Sequence, residues 1–190
     1  MGVVAVNLLQ FVSLVVMVLV STQTLAQKDW GETLPYKDMV KEMKVTKLQF
    51  YLHEIVSGDI PTSVTVVPAP NNQSSSMFGS IGMIDDPLTQ GPELTSKAVG
   101  RAQGIVGFAG LNQTTLLMAL SFVFTDDKFN GSTLSILTRD PITDPIRQFP
   151  VVGGTGMFGF AHGVAYVRTY WFNATTGDAI LEYNVTVVHY

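Results

Sequence analysis

The residues best suited to chemistry crowd into one short stretch, Leu137 to Gly156, "LTRDPITDPIRQFPVVGGTG". It holds Arg139, Asp140, Asp144 and Arg147 in a chain whose charged residues are only 14% of the total. Carboxyl groups beside guanidinium groups can orient polar ligand atoms and exchange protons with them. Three prolines and a Gly-Gly-Thr-Gly run predict irregular chain at a surface or rim.

A further carboxyl group closes "KLQFYLHEI". Leu48, Phe50, Leu52 and Glu54 fall on one side of a strand pattern, so Glu54 shares the face of three large apolar residues. A charge on such a face is costly, and a carboxyl in dry surroundings has a raised pKa and can donate a proton. "IDDPLTQGPE" adds Asp85 and Asp86. Two readings of that pair stay open: an Asp-Asp-Pro turn whose carboxylates accept backbone N–H bonds, and functional acids.

Other chemistries lack support. The histidines, His53, His162 and His189, fall in three separate strand patterns without the short spacings of common metal sites, so no metal is expected. "VVGGTG" lacks the patterns of phosphate-binding loops and is not followed by a helix pattern. No Gly-x-Ser-x-Gly elbow supports a hydrolase. A net charge of −4, spread along the chain, provides no footprint for nucleic acid.

The elements that must position these acids read as strands. Alternating or β-rich runs occur at "KLQFYLHEI", "SVTVV", "MFGSIGMI", "AVGRAQGIVGFAG", "TTLLMALSFVFT", "GSTLSIL", "MFGFAHGVAYVRTYWF" and "AILEYNVTVVHY", each bounded by turn formers. Eight strands joined by short turns predict an all-β fold, an eight-stranded antiparallel β-barrel closed to remove its edges. Such a barrel has room for its own side chains or one small ligand. Gly100, Gly104, Gly107, Gly159 and Gly163 are expected at bends or close approaches.

The 190 residues fit one domain. An apolar run followed by Thr24-Leu25-Ala26 predicts a secretory signal over 1–26, too short to span a bilayer. A polar arm follows over 27–44, then the barrel over 45–190. The chain has no cysteine, so stability must come from packing. Sequons at Asn72, Asn112, Asn130, Asn173 and Asn184 agree with passage through the secretory route, although Asn184 lies inside a strand pattern.

Taken together, "FYLHEI", "IDDPLTQGPELTSKAVGRAQG", "FNGSTLSIL", "IRQFPVVGGTGMF" and "EYNVTVVHY" resemble the plant dirigent family, in its order and from about Leu48 to Tyr190. The resemblance implies a secreted barrel of the apoplast or cell wall, usually a homotrimer, with a phenolic-binding pocket and no cofactor or oxidising centre. A separate laccase or peroxidase makes phenoxy radicals, typically from coniferyl alcohol, and the dirigent protein guides their coupling to one lignan stereoisomer. Some relatives are instead lyases that dehydrate a hydroxylated isoflavonoid to a pterocarpan through a quinone methide; a third reading is a phenolic-binding barrel without chemistry. Carried over to this chain, the resemblance implies Glu54, Asp140 and Arg147 as the reacting groups, with Arg147 holding Asp140 on a loop beside the mouth. Asp85, Asp86, Phe50, Val106 and His162 are the substrate-binding candidates. The chain departs from its relatives at Asp140 within "TRD", at "RQFPV", and at "FGFAHGV", where Gly159 and His162 replace arginines and Val164 a tyrosine; Val106 stands where an aromatic is frequent.

Overall fold

Alternation of apolar and polar residues decides which faces turn inward, and it does so along nine strands. A computed structural model describes residue 33 and residues 43–70, 76–126 and 128–190. The expected signal, the arm apart from residues 33, 43 and 44, and the Asn72 sequon lie outside the described residues. The strands are β1 (Lys44–Glu54), β2 (Ser63–Val67), β3 (Ile81–Thr89), β4 (Ala98–Phe108), β5 (Thr115–Phe124), β6 (Thr133–Pro141), β7 (Arg147–Thr155), β8 (His162–Phe172) and β9 (Ala179–His189).

Their order is β1-β9-β8-β7-β6-β5-β4-β3-β2, and an antiparallel contact between β1 and β3 closes the ring. That seam is short, Tyr51 opposite Thr89 and Leu52 opposite Leu88. Eight strands therefore form the barrel, and β2 flanks β3 beyond the point where β1 leaves it. The ladder from β3 round to β9 is a meander of neighbours, so each turn is short and sequence neighbours are spatial neighbours.

Membership of the ring corrects two expectations. Of the stretch expected to be irregular, residues 142–146 form an exposed turn, but the residues on either side are the end of β6 and all of β7. Pro150 is tolerated because the β6–β7 ladder stops at Ile136 opposite Val151; from there to Arg147 the strand lacks a β6 partner that its missing N–H would deprive. "IDDPLT" is also strand rather than turn, the second half of β3. Pro87 faces Arg101 of β4 on one side. On the other it falls between the last β2 pair, at Ile84, and the first β1 pair, at Leu88.

The inward rows meet in an aromatic centre. Phe50, Phe122, Phe149 and Tyr183 are each at most 2% exposed. Phe50 stacks on Tyr183 at 5.4 Å, and Phe122 stands edge-on to both at 5.2 and 5.3 Å. Enclosing each such ring contributes about 1.5–3 kcal/mol. Three glycines let neighbouring strands approach. A Cβ on Gly100 would lie 2.3 Å from the Val123 carbonyl oxygen, one on Gly104 2.1 Å from that of Ala119, and one on Gly163 2.1 Å from that of Thr186. Gly107 and Gly159, expected to serve the same purpose, have ordinary contact distances and do not.

Candidate functional site

Strand direction brings the ends of β1, β6 and β8 and the starts of β5, β7 and β9 to one end of the barrel. There Glu54 pairs with Ala179, as does Phe172, while Thr115 pairs with Pro141 and Arg147 with Val167. Inward alternation then places Glu54 of β1, Asp86 of β3, Asp140 of β6 and Arg147 of β7 on the lumen side at this end. Asp86, Asp140 and Arg147 are almost wholly enclosed, whereas Glu54 is half-buried.

Asp140 and Arg147 face each other where β6 and β7 part. The Arg147 guanidinium comes within 3.5 Å of Asp140 Oδ1, an ion pair without a hydrogen bond. Arg147 donates instead to the Thr169 hydroxyl at 3.1 Å and the Ile142 carbonyl at 3.4 Å, and its Nε is left without a partner. Burial raises the Asp140 pKa to about 6, against the pull of Arg147 toward the ionised form. An enclosed carboxyl oxygen and an enclosed N–H without partners are two groups that a bound ligand could satisfy.

Asp86 is the most perturbed acid of the cluster with a definite value. Burial pushes it up to about 8, opposed by one hydrogen bond from Thr62 and reinforced by the charge of Glu54. The Thr62 hydroxyl donates to Asp86 Oδ1 at 2.5 Å, and Oδ2 is enclosed without a partner. Glu54 accepts from the Ser63 hydroxyl at 3.1 Å, and burial raises it as well, with Asp140 adding to the shift. Below these groups lies Tyr183, whose phenol is pushed upward by burial and then by Asp140. Its hydroxyl also senses Arg147, Glu54 and Asp86, which marks the four as one neighbourhood.

The surrounding rim is apolar. Ile60 before β2, Ile142 and Ile146 between β6 and β7, and Trp171 and Phe172 at the end of β8 are all exposed at this end. An apolar rim above a few convergent polar groups suits a small aromatic molecule with hydroxyl substituents. Among the described residues, no group of three or more His, Asp or Glu is arranged to hold a metal ion.

The expected residues divide cleanly. Glu54, Asp86, Asp140 and Arg147 come together, although Asp140 and Arg147 stand on strands rather than a loop. Phe50 and Val106 face the lumen, Phe50 inside the packed aromatic centre and Val106 against it. Asp85 is corrected: successive strand residues point to opposite faces, and it lies outside the barrel, bonded to Arg101 and Gln103. His162 is corrected for two reasons. It is exposed, and its pairing with Val188 puts it at the end of the barrel remote from Glu54. Sequence reasoning missed Thr62, Ser63, Thr169 and Tyr183. Tyr183 was detectable from the inward row Tyr183, Val185, Val187; the hydroxyls of Thr62 and Ser63 reach the acids through the path of a loop, which leaves no periodic signal.

Asn112 and Asn130 are exposed in turns, Asn173 is half-buried with its side-chain oxygen accepting from the Thr175 N–H, and Asn184 is exposed on the outer face of β9.

Comparison with known proteins gives one consistent relationship. The family model described as Dirigent-like protein matches residues 45–188. Dirigent protein 21 of Arabidopsis thaliana is 49% identical over 150 residues, 78% of this chain and 79% of the relative. Pterocarpan synthase 1 of Glycyrrhiza echinata is 46% identical over 153 residues, 79% of this chain and 81% of the relative. The solved structure of the pterocarpan synthase dirigent protein GePTS1 superposes with a TM-score of 0.80 at 43% identity, covering 85% of this chain and 99% of that one. With nearly the whole barrel matched in sequence and in shape, the chain belongs to the dirigent family.

Proposed function

We propose that the barrel binds a phenolic molecule and controls the stereochemistry of a quinone methide formed from it, by acid-assisted dehydration of a hydroxylated isoflavonoid. The observation that carries this reading is the pair of enclosed carboxyl groups with separated acidities, Asp86 at about 8 and Asp140 at about 6, facing one lumen. Environments that push two titratable groups apart assign an acid and a base. Similarity to two pterocarpan synthases of known structure supports the same choice.

The steps follow from those roles. Asp86, protonated near neutrality, donates its proton from Oδ2 to a benzylic hydroxyl, and the C–O bond breaks with its electrons leaving on water. The conjugated phenol gives its proton to the Asp140 carboxylate, which produces a neutral quinone methide. An internal hydroxyl of the substrate then adds to the methide carbon. Its proton passes to Asp86, and Asp140 returns a proton to the phenol oxygen, so both acids are reset and one water is lost. Arg147 holds Asp140 and orients the phenol oxygen, and Glu54, whose carboxyl is raised by burial, adds a further hydrogen-bonding group at the rim. Orientation in the lumen exposes one face of the methide to attack, which fixes the product's handedness.

A second reading is supported by the 49% identity to Dirigent protein 21. In it, an external laccase or peroxidase makes monolignol radicals and this barrel guides their coupling, the same acids assisting closure of the resulting quinone methides. The test is to incubate the purified protein alone with an isoflavanol, then separately with coniferyl alcohol and laccase, and to resolve the products by chiral chromatography. Faster formation of one pterocarpan enantiomer without oxidant is the expected result. Enantiomeric excess only in the laccase reaction would establish the second reading. Ligand binding with no change in either product would leave a phenolic-binding barrel.

The reading extends to place and assembly. Secretion to the apoplast is supported by the apolar N-terminal run and by the exposed turn sequons Asn112 and Asn130, and is checked by an endoglycosidase mass shift of protein from apoplastic washes. Homotrimer formation is supported by outward Ile105, Leu117, Leu137 and Val152, which leave an apolar barrel wall exposed, and is checked by light scattering.

A further inference from the structure

The hydroxyls that touch the two acids on the β2 side both come from one segment, the connection from Ile55 to Thr62 and the first residue of β2. Thr62 donates to Asp86, and Ser63 donates to Glu54. Their backbones are also fixed, since the N–H groups of Thr62 and Ser63 donate to the Ile55 carbonyl at 2.8 and 3.1 Å. Asp85 N–H, next to Asp86, donates to the Thr62 carbonyl at 2.8 Å. The position of this segment therefore decides how the carboxyl groups are held.

Its other end is tied to a different loop. Asp178, between β8 and β9, accepts from the N–H groups of Val56 and Ser57 on Oδ1 at 2.8 and 3.0 Å. Its Oδ2 accepts from the Ser57 hydroxyl at 2.6 Å and from the Thr176 hydroxyl at 2.7 Å. Four donors on one carboxylate hold it in the ionised form, and its pKa is depressed chiefly by the Ser57 hydroxyl. Val56 further packs over Gly177, within 3.7 Å of where a Cβ would stand.

We propose that Asp178 is a positioning residue: by clamping Val56 and Ser57 it holds the segment that sets Thr62 against Asp86 and Ser63 against Glu54. The inference rests on the proposed role of those carboxyl groups and names what controls them. With Thr62 donating to Oδ1, the proton of Asp86 is directed to Oδ2, the oxygen facing the lumen without a partner. If the clamp is released, that bond loosens. The groups that then act on Asp86 are Glu54 from β1, Arg101 from β4 and its own neighbour Asp85. Removal of a bond that favours the ionised form raises the carboxyl pKa.

The test needs no activity. Carbon-13 labelling of aspartate carboxyls allows the titration of Asp86 to be followed by NMR in the whole protein, with Asp86→Asn assigning the signal. Thr62→Val is expected to move the Asp86 midpoint upward by about one pH unit, the size of one charge-assisted hydrogen bond. Asp178→Ala is expected to move it in the same direction, and the double variant to add nothing beyond Thr62→Val. Asp178→Asn, which keeps an oxygen for the two backbone N–H groups, is expected to restore most of the native midpoint. An unmoved midpoint in Asp178→Ala overturns the proposal, as does a shift that persists in full on the Thr62→Val background. If the midpoints move as expected while neither substrate reacts, the clamp stands and the catalytic reading falls.

Discussion

The Arg147 guanidinium lies 3.5 Å from Asp140 Oδ1 across the parting of β6 and β7, with 2% and 4% of the two side chains exposed. Neither charge is stable there alone. Asp140→Asn is expected to leave the guanidinium uncompensated and to cost about 3–5 kcal/mol. Arg147→Met should cost less, because Asp140 can stay protonated. The double variant is expected to recover most of the stability, since it removes both charges at once, but none of the stereoselectivity. Denaturation midpoints of the four proteins and the chiral composition of their products check this. Additive losses in stability would show that the two side chains do not act as a pair.

Period-two alternation made the barrel legible, because a residue such as Phe50 or Tyr183 has no other way to be buried in a strand of a closed sheet. The same alternation located Glu54 on the lumen side. It failed where proline interrupted a strand. Pro87 and Pro150 both sit where one neighbouring strand is missing, and that is a property of pairing rather than of local sequence. The eight alternating runs of the sequence include β2, which lies outside the ring, and omit β7, which belongs to it. The sequence alone leaves Asp85 and Asp86 indistinguishable, because both a turn and functional acids fit "IDDPLTQGPE"; in the strand only one can face inward. The hydroxyls of Thr62 and Ser63 depend on how the connection between β1 and β2 returns to Ile55, which no periodicity encodes.

Stability should fall as the solution becomes more alkaline between about pH 4 and pH 8. Asp86 is raised from 3.8 to about 8, so across this window the folded protein holds a proton that the unfolded chain releases, and folding weakens as pH rises. Asp140, raised to about 6, acts in the same direction over a narrower range. His53 opposes them: burial lowers its pKa from 6.5, so its contribution is lost as pH falls below that value. Asp178 is depressed and matters only below its ordinary 3.8. Urea denaturation of the native protein and Asp86→Asn across this range separates the contributions. The variant should lose much of the slope, and parallel curves would show that Asp86 is not the group responsible.

Phe122 is fully enclosed and stands edge-on to Phe50 at 5.2 Å and Tyr183 at 5.3 Å. Phe122→Ala should cost about 3–5 kcal/mol through lost transfer energy and a residual cavity. Leu117, on the neighbouring outward row of β5, is 54% exposed. Leu117→Ala should change monomer stability by only about 0.5 kcal/mol. Denaturant titration of both variants distinguishes a packed lumen floor from a loosely filled one, in which the two costs would be alike.

The rate of dehydration should rise and fall with pH. Asp140 must be ionised to take the phenol proton, so activity is lost as pH falls through about 6. Asp86 must be protonated to release water, so activity is lost again as pH rises through about 8. The two limbs belong to a coupled set that includes Glu54, whose charge raises Asp86. Asp86→Asn should abolish the alkaline limb and slow the reaction by about 10²–10⁴-fold, the range of general acid catalysis. Arg147→Met should have a different signature: without the cation that favours its ionised form, Asp140 titrates higher, so the acid limb moves toward the alkaline one and the plateau narrows. A profile in Arg147→Met whose acid limb stays in place would assign that limb to another group, and Glu54 would then be the residue to replace next, because it is the remaining raised carboxyl on the lumen side.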